Sequence, residues 1–175
     1  VFSIKGFNLA RMDQIAEEAQ LSIGTLYRYF MSKDDLYTLL SIDVLKQLTD
    51  EMFKVVSADI SVEEKIDKFC DAFIDVYEFD PNTLKNLFLL QSCEILKNLS
   101  NDVLLQLKEN AAIVHGFITD VIKEGIDQEI FIDEHPSVLA DILWGTYTGV
   151  VLWLDSKSNK IFVKMLIFGL VLVII

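Results

Sequence analysis

The strongest constraint on this chain is the run from Met12 to Leu40, MDQIAEEAQLSIGTLYRYFMSKDDLYTLL. Met12, Ile15, Ala16 and Ala19 recur at i, i+3, i+4 and i+7, the apolar stripe of one helix face. The period breaks at Gln20-Leu21, and Ser22 follows as an N-cap whose hydroxyl can take a free N–H of the next helix. In that helix, Ile23 to Phe30, the spacing is repeated by Ile23, Leu26, Tyr27 and Phe30. Ser32 opens a third helix, with Asp35 at the capping-box position and Asp34-Asp35 near the positive helix end. Two short helices joined by a tight turn form a helix-turn-helix, a hairpin whose second helix can enter a DNA major groove.

The pattern GF–x4–M–x2–IA–x2–A–x2–S–x–GTLYRYF–x–SK–x2–L closely resembles the DNA-binding domain of the tetracycline-repressor (TetR) family. It is carried by Gly6, Phe7, Met12, Ile15, Ala16, Ala19, Ser22, Gly24, Thr25, Leu26, Tyr27, Tyr29, Phe30, Ser32, Lys33 and Leu36. The resemblance implies that Ile23, Thr25, Tyr27 and Arg28 face the groove, with Arg28 able to read guanine O6 and N7. It implies that Tyr27 and Tyr29 point hydroxyls at phosphates, that Gly24 lets the backbone come close, and that Lys33 adds charge at a helix start. Arg11 and Ser22 complete the expected DNA-binding set, while Leu26 and Phe30 are expected in the core. Two positions depart from the family. Ala10 stands where a Thr usually caps and touches phosphate, so capping falls to Asn8 or Arg11. Gln20 stands where Gly usually turns the chain, so a strained backbone is expected there. The chain begins at Val1, and Val1 to Lys5 reads as the end of a first helix whose earlier residues, often with a basic arm, are expected to be missing.

Length and charge bound the rest. A chain of 175 residues, 52% hydrophobic with two prolines, can bury a real core and is not disordered. Helical periodicity recurs throughout, so the predicted class is all-α. The net charge of −12 is unusual for a DNA binder, but it is unevenly spread. Residues 1–48 hold five Lys/Arg against six Asp/Glu, and residues 49–175 hold ten against twenty-one. The first part, with Lys5, Arg11, Arg28 and Lys33, is the expected DNA-binding domain (1–48). The acidic remainder (49–175) is the expected effector-binding and dimerisation domain, held off DNA by repulsion. Few phosphates can be neutralised, which limits non-specific affinity. Cys70 and Cys93 stand alone at apolar helical positions and read as buried, reduced thiols of a cytoplasmic protein. The run Ile161 to Ile175, interrupted by Lys164, is too short to span a bilayer and reads as a packing or dimer helix.

The helix opened at Ser32 continues through Leu36, Leu39, Leu40, Val44, Leu48 and Met52 to about Val56, long enough to be shared by both domains. Ser61 and Glu64 form a capping box for a helix from Val62 to about Glu78. Asp80-Pro81 ends it and starts another, to about Leu99. Ser100 opens a long helix from Asn101 to about Ile126, Pro136 sits in the first turn of the next, to about Leu154, and a last helix follows the polar loop 155–159. With the missing first helix the expected total is nine. That count and order again resemble the TetR family. A looser resemblance, from Gly116 to Leu154, matches the family's region of helix eight and transfers architecture but no ligand.

Phe69, Phe73, Tyr77, Phe88, Phe117, Trp144 and Tyr147 could line a cavity between helices and fit a small apolar or aromatic effector; the plain alternative is that the stripe is core. His115 could hydrogen-bond that effector, or be a satisfied packing histidine. His135 reads as a loop residue, and the two histidines make no metal constellation. No catalytic motif occurs, and neither an enzyme activity nor a cofactor is expected. For association the expected faces are Leu139, Ile142, Leu143, Thr146 and Val150 on one helix and Ile161, Met165 and Phe168 on the last. Gly145 and Gly149 allow close approach, and two such helices per chain would build an isologous four-helix bundle. The resemblance implies a homodimeric repressor on a palindromic operator of double-stranded DNA, released by an effector. The alternative is a DNA-bound dimer whose second domain recruits a protein partner.

Overall fold

The computed structural model describes residues 1–79 and 96–153, and every regular element in them is a helix. These are α1 (Phe2–Leu9), α2 (Met12–Glu18), α3 (Ile23–Tyr29), α4 (Lys33–Val56), α5 (Val62–Phe79), α6 (Asn101–Asp127) and α7 (Pro136–Trp153). Their limits follow the sequence signals closely. Ser22 Oγ accepts the Thr25 N–H at 3.0 Å, Ser32 Oγ the Asp35 N–H at 3.0 Å, and Ser61 Oγ the Glu64 N–H at 3.2 Å. Each of these serines satisfies one donor that a helix start leaves open. The expected helix from Pro81, most of the run to Leu99, and the last helix lie outside the described residues, as do Phe88, Cys93, Ile161, Met165 and Phe168.

Turns fall where the backbone leaves the right-handed region. Gly6, at φ 72° and ψ 168°, breaks α1 in a conformation open essentially to glycine alone. Gln20 has φ 55°, the left-handed turn expected at this non-glycine position. There Leu21 N–H bonds Ala16 O at 2.8 Å and Gln20 N–H bonds Glu17 O at 3.0 Å, the paired bonds of a Schellman cap. Glu129, at φ 59°, repeats this after α6, with Ile130 N–H on Gly125 O and Glu129 N–H on Ile126 O. Beside it Phe131 lies so close to Gly125 that an added Cβ would overlap its ring.

The described chain forms two compact units. One holds residues 1–44 and 96–109, the other 45–79 and 110–153. Helices α4 and α6 therefore each continue from one unit into the other. In the first unit Met12, Ala16, Leu26 and Leu36 form the core, with Phe2, Ile15 and Phe30 packed on it. Tyr37 of α4, buried, meets the rings of Phe2 at 4.7 Å and Phe7 at 5.0 Å. Asp35, 2% exposed, sends its carboxylate to the Ser100 N–H at 2.9 Å, so a residue read as a local cap also fastens α4 to the start of α6. In the second unit Lys65 of α5, itself buried, bonds both carboxylate oxygens of Glu124 on α6, at 3.0 and 2.8 Å.

Candidate nucleic-acid interface

The site is built by α2 and α3. Each gives one face to the core: Met12 and Ala16 from α2, and Leu26 from α3, are buried. Leu26 faces inward, whereas Ile23 and Tyr27, which share its stripe in the sequence, and Arg28 are exposed. Tyr29 at 70% and Met31 at 79% exposure extend the same open surface. Aromatic and aliphatic groups of this size stay in water only at an energetic loss, which marks a contact surface. Thr25 is half-buried, with its Oγ1 2.8 Å from Ser22 Oγ. At Gly24 an added Cβ would meet only Ser22 Oγ, at 3.9 Å, so nothing in the chain's own packing excludes a side chain there.

Arg11, Ser22 and Lys33 have work inside the chain. Ser22 caps α3. Lys33 was expected on a phosphate. Its Nζ instead donates to Phe7 O at 2.8 Å and Ala10 O at 3.2 Å and lies 4.4 Å from the Phe7 ring centroid. Those carbonyls at the end of α1 need donors, and the start of α4 lies within reach of them. Lys33 is thus a strut between α1 and α4. Arg11, rather than Ala10, is the residue before α2, and it makes no side-chain cap bond. Asp13 Oδ1 takes the Gln14 N–H at 2.9 Å, and Asp13 also grips Arg11, Nε to Oδ1 at 3.1 Å and Nη2 to Oδ2 at 2.8 Å. The Arg11 hydrogen bond holds the Asp13 carboxyl below the usual range. Arg28 lies 5.9 Å from the centre of the Tyr29 ring. The sequence reading missed Asp13 and Met31; the Arg-x-Asp spacing was the available signal for the first.

The second unit sorts the other expected residues differently. Phe69, Phe73 and Tyr147 are buried, and Phe73 stacks on Tyr147 at 4.3 Å, with Trp144 about both at 6.1 Å. Tyr147 Oη donates to Phe73 O at 2.7 Å, and burial, with the Tyr77 charge nearby, raises the Tyr147 pKa. These rings fill the core. Phe117 is half-buried, 6.2 Å from Phe53. His115 Nε2 is 3.0 Å from Asp141 Oδ1, and its Nδ1 is 3.4 Å from Thr119 Oγ1, which ties α6 to α7. A cleft of about 610 Å³ is lined by Gln47, Asp50, Glu51, Phe53, Lys54, Ala72, Asp75 and Val76, none of them in the expected effector set.

On α7, Leu139, Leu143 and Val150, expected at a dimer interface, are buried within the chain, and Thr146 is half-buried. Ile142 is exposed, and with Val138, Gly145 and Gly149 it forms the open strip of the helix. An added Cβ at either glycine would stand in open space. Among the described residues no helix is long and apolar enough to cross a membrane.

Residues 1–40 match the family described as bacterial regulatory proteins, tetR family. Over those residues the chain is similar to the TetR family. Its relatives by sequence are named as regulators. The HTH-type transcriptional regulator LuxR of Vibrio harveyi is 27% identical over 128 residues, which cover 69% of this chain and 62% of that protein. The fatty acid metabolism regulator protein of Bacillus subtilis (strain 168) is 26% identical over 134 residues, 73% of this chain and 68% of that protein. The chain thus spans less than two thirds of the first relative. By fold, the chain is similar to the crystal structure of FadR from Bacillus subtilis in complex with stearoyl-CoA. The TM-score is 0.74 at 19% identity, covering 99% of this chain and 92% of that one. This likeness is one of fold: among the described residues, an N-terminal helix-turn-helix is followed by further helices.

Proposed function

We propose that the chain is a cytoplasmic, homodimeric transcriptional repressor. Residues 1–48 read a palindromic operator in double-stranded DNA, and residues 49–175 bind an effector and pair the two copies. The observation that carries the DNA part is the two-sidedness of α3: Leu26 is buried, while Ile23, Tyr27, Arg28 and Tyr29 are exposed on a helix capped by Ser22. Such a helix can lie in the major groove with its first residues on base edges. Two copies would address half-sites about 34–36 Å apart, or a multiple of that. For pairing, the exposed strip of α7, Val138, Ile142, Gly145 and Gly149, offers a close-approach surface.

The effector we propose is largely apolar where it enters the protein, with the acyl chain of a fatty acyl thioester the first choice. Support comes from the Bacillus subtilis regulator, similar in sequence and fold and seen in complex with stearoyl-CoA. Because α4 and α6 each continue through both units, an effector that prefers one setting of these helices shifts the DNA-competent population. It can do so only by its differential affinity for the two states, typically ~1–3 kcal/mol.

The test is fluorescence anisotropy of the full chain on duplex DNA from upstream of its own gene, titrated with stearoyl-CoA, beside a Tyr27→Ala/Arg28→Ala double variant. Selective binding that the double variant lacks, and that stearoyl-CoA weakens, is the expected result. Tightening by stearoyl-CoA would reverse the proposed sign of control. A folded protein that selects no sequence from random duplexes would end the DNA reading.

A further inference from the structure

We infer that Asp13 is an internal stand-in for a DNA phosphate. Its carboxylate holds Arg11 in the free protein, and DNA binding passes Arg11 from Asp13 to the backbone. The inference rests on the DNA-binding reading above.

Arg11 precedes α2 in extended backbone and Asp13 lies in its first turn. The guanidinium grips the carboxylate at two points, 3.1 and 2.8 Å, the fork geometry that a phosphate's two oxygens can also satisfy. Both side chains face water, at 72% and 48% exposure, so the grip is a surface pair that is easily exchanged. The partners are not equally mobile. Asp13 Oδ1 also accepts the Gln14 N–H at 2.9 Å, which pins the carboxylate to the helix. Arg11 is therefore the partner that moves. In a docked helix-turn-helix the helix before the recognition helix crosses the DNA backbone, which brings Arg11 to phosphates.

The exchange matters because little other positive charge is available. Lys33 is bound to the Phe7 and Ala10 carbonyls, which leaves Lys5 and Arg28 as the other cations of residues 1–40. Releasing Arg11 changes a large part of the charge that this surface can offer DNA. Asp13 would thus act as a brake on non-specific binding, where the backbone contributes nearly all the affinity.

A double-mutant cycle on the full chain tests this, with Asp13→Asn, Arg11→Gln and the double variant measured on the operator duplex from 50 to 200 mM salt. Asparagine can still accept the Gln14 N–H, so α2 keeps its cap. Asp13→Asn should tighten binding about fivefold per protomer at low salt. The slope of log K against log salt should stay as in the wild type, because Arg11 reaches a phosphate in both complexes. With Arg11→Gln in place, Asp13→Asn should change neither quantity. An equal gain in that background would show simple repulsion by Asp13 and overturn the exchange. So would wild-type operator binding that Asp13→Asn leaves unaltered. If all four proteins bind no duplex, the DNA-binding reading has failed and the inference falls with it.

Discussion

Gly24→Ala separates what α3 needs for folding from what it needs for DNA. Gly24 lies in the first turn of α3, and an added Cβ meets only Ser22 Oγ at 3.9 Å, an ordinary contact. The folded chain therefore loses nothing by the change, while the unfolded chain loses backbone freedom. Such a substitution stabilises by about 0.4–1 kcal/mol. For a chain of this size that raises the melting temperature by about 1–4 °C. In the proposed complex with DNA, where Gly24 lets the backbone come close, the same methyl group would enter the space between the helix backbone and the groove. Overpacking of that kind costs about 1–3 kcal/mol per contact. With the two recognition helices of the proposed dimer on one operator, the loss should be at least about thirtyfold in affinity. Thermal melting and operator anisotropy on one preparation give both numbers. A variant that melts lower than the wild type, or that binds the operator as tightly, would refute the reasoning.

Gln20→Gly and Glu129→Gly each relieve a left-handed backbone at φ 55° and 59°, and each should stabilise by ~1 kcal/mol in urea unfolding, the two adding because they lie in different units. Gly125→Ala should destabilise by about 1–3 kcal/mol, since the buried Phe131 ring occupies the place of the new methyl; trimming that ring with Phe131→Leu in the same chain should recover part of the loss. Lys33→Gln should lower the melting temperature by loosening α1 from α4, yet leave the salt slope of operator binding unchanged; a slope smaller by about 0.9 per protomer would instead show a phosphate contact.

Much of the local structure was legible because its causes are local. Ser22, Ser32 and Ser61 each cap a helix that starts within one residue of them, and the left-handed turn at Gln20 sits at the break in the apolar period. These features depend on hydrogen bonds and torsions spanning a few residues, and residue type and spacing determine them. The buried face of α3 was legible only in part: helical spacing grouped Ile23, Leu26, Tyr27 and Phe30, and the resemblance set Leu26 and Phe30 apart as core, while Ile23 and Tyr27 are exposed.

The tertiary structure decided the rest. Helix α7 is apolar on nearly every side, so its period marks no inward face; packing put Leu139, Leu143 and Val150 in the core and left Val138 and Ile142 outside. Of the aromatic residues expected around a cavity, Phe73 and Tyr147 are stacked core rings with the half-buried Trp144 beside them, a distinction that depends on what stands opposite each ring. Long charged side chains were the least legible. Lys33 reaches carbonyls 23 and 26 residues away, and the Asp35 carboxylate reaches a backbone N–H 65 residues away. A flexible stem permits many partners, and only the fold brings one of them within hydrogen-bonding distance.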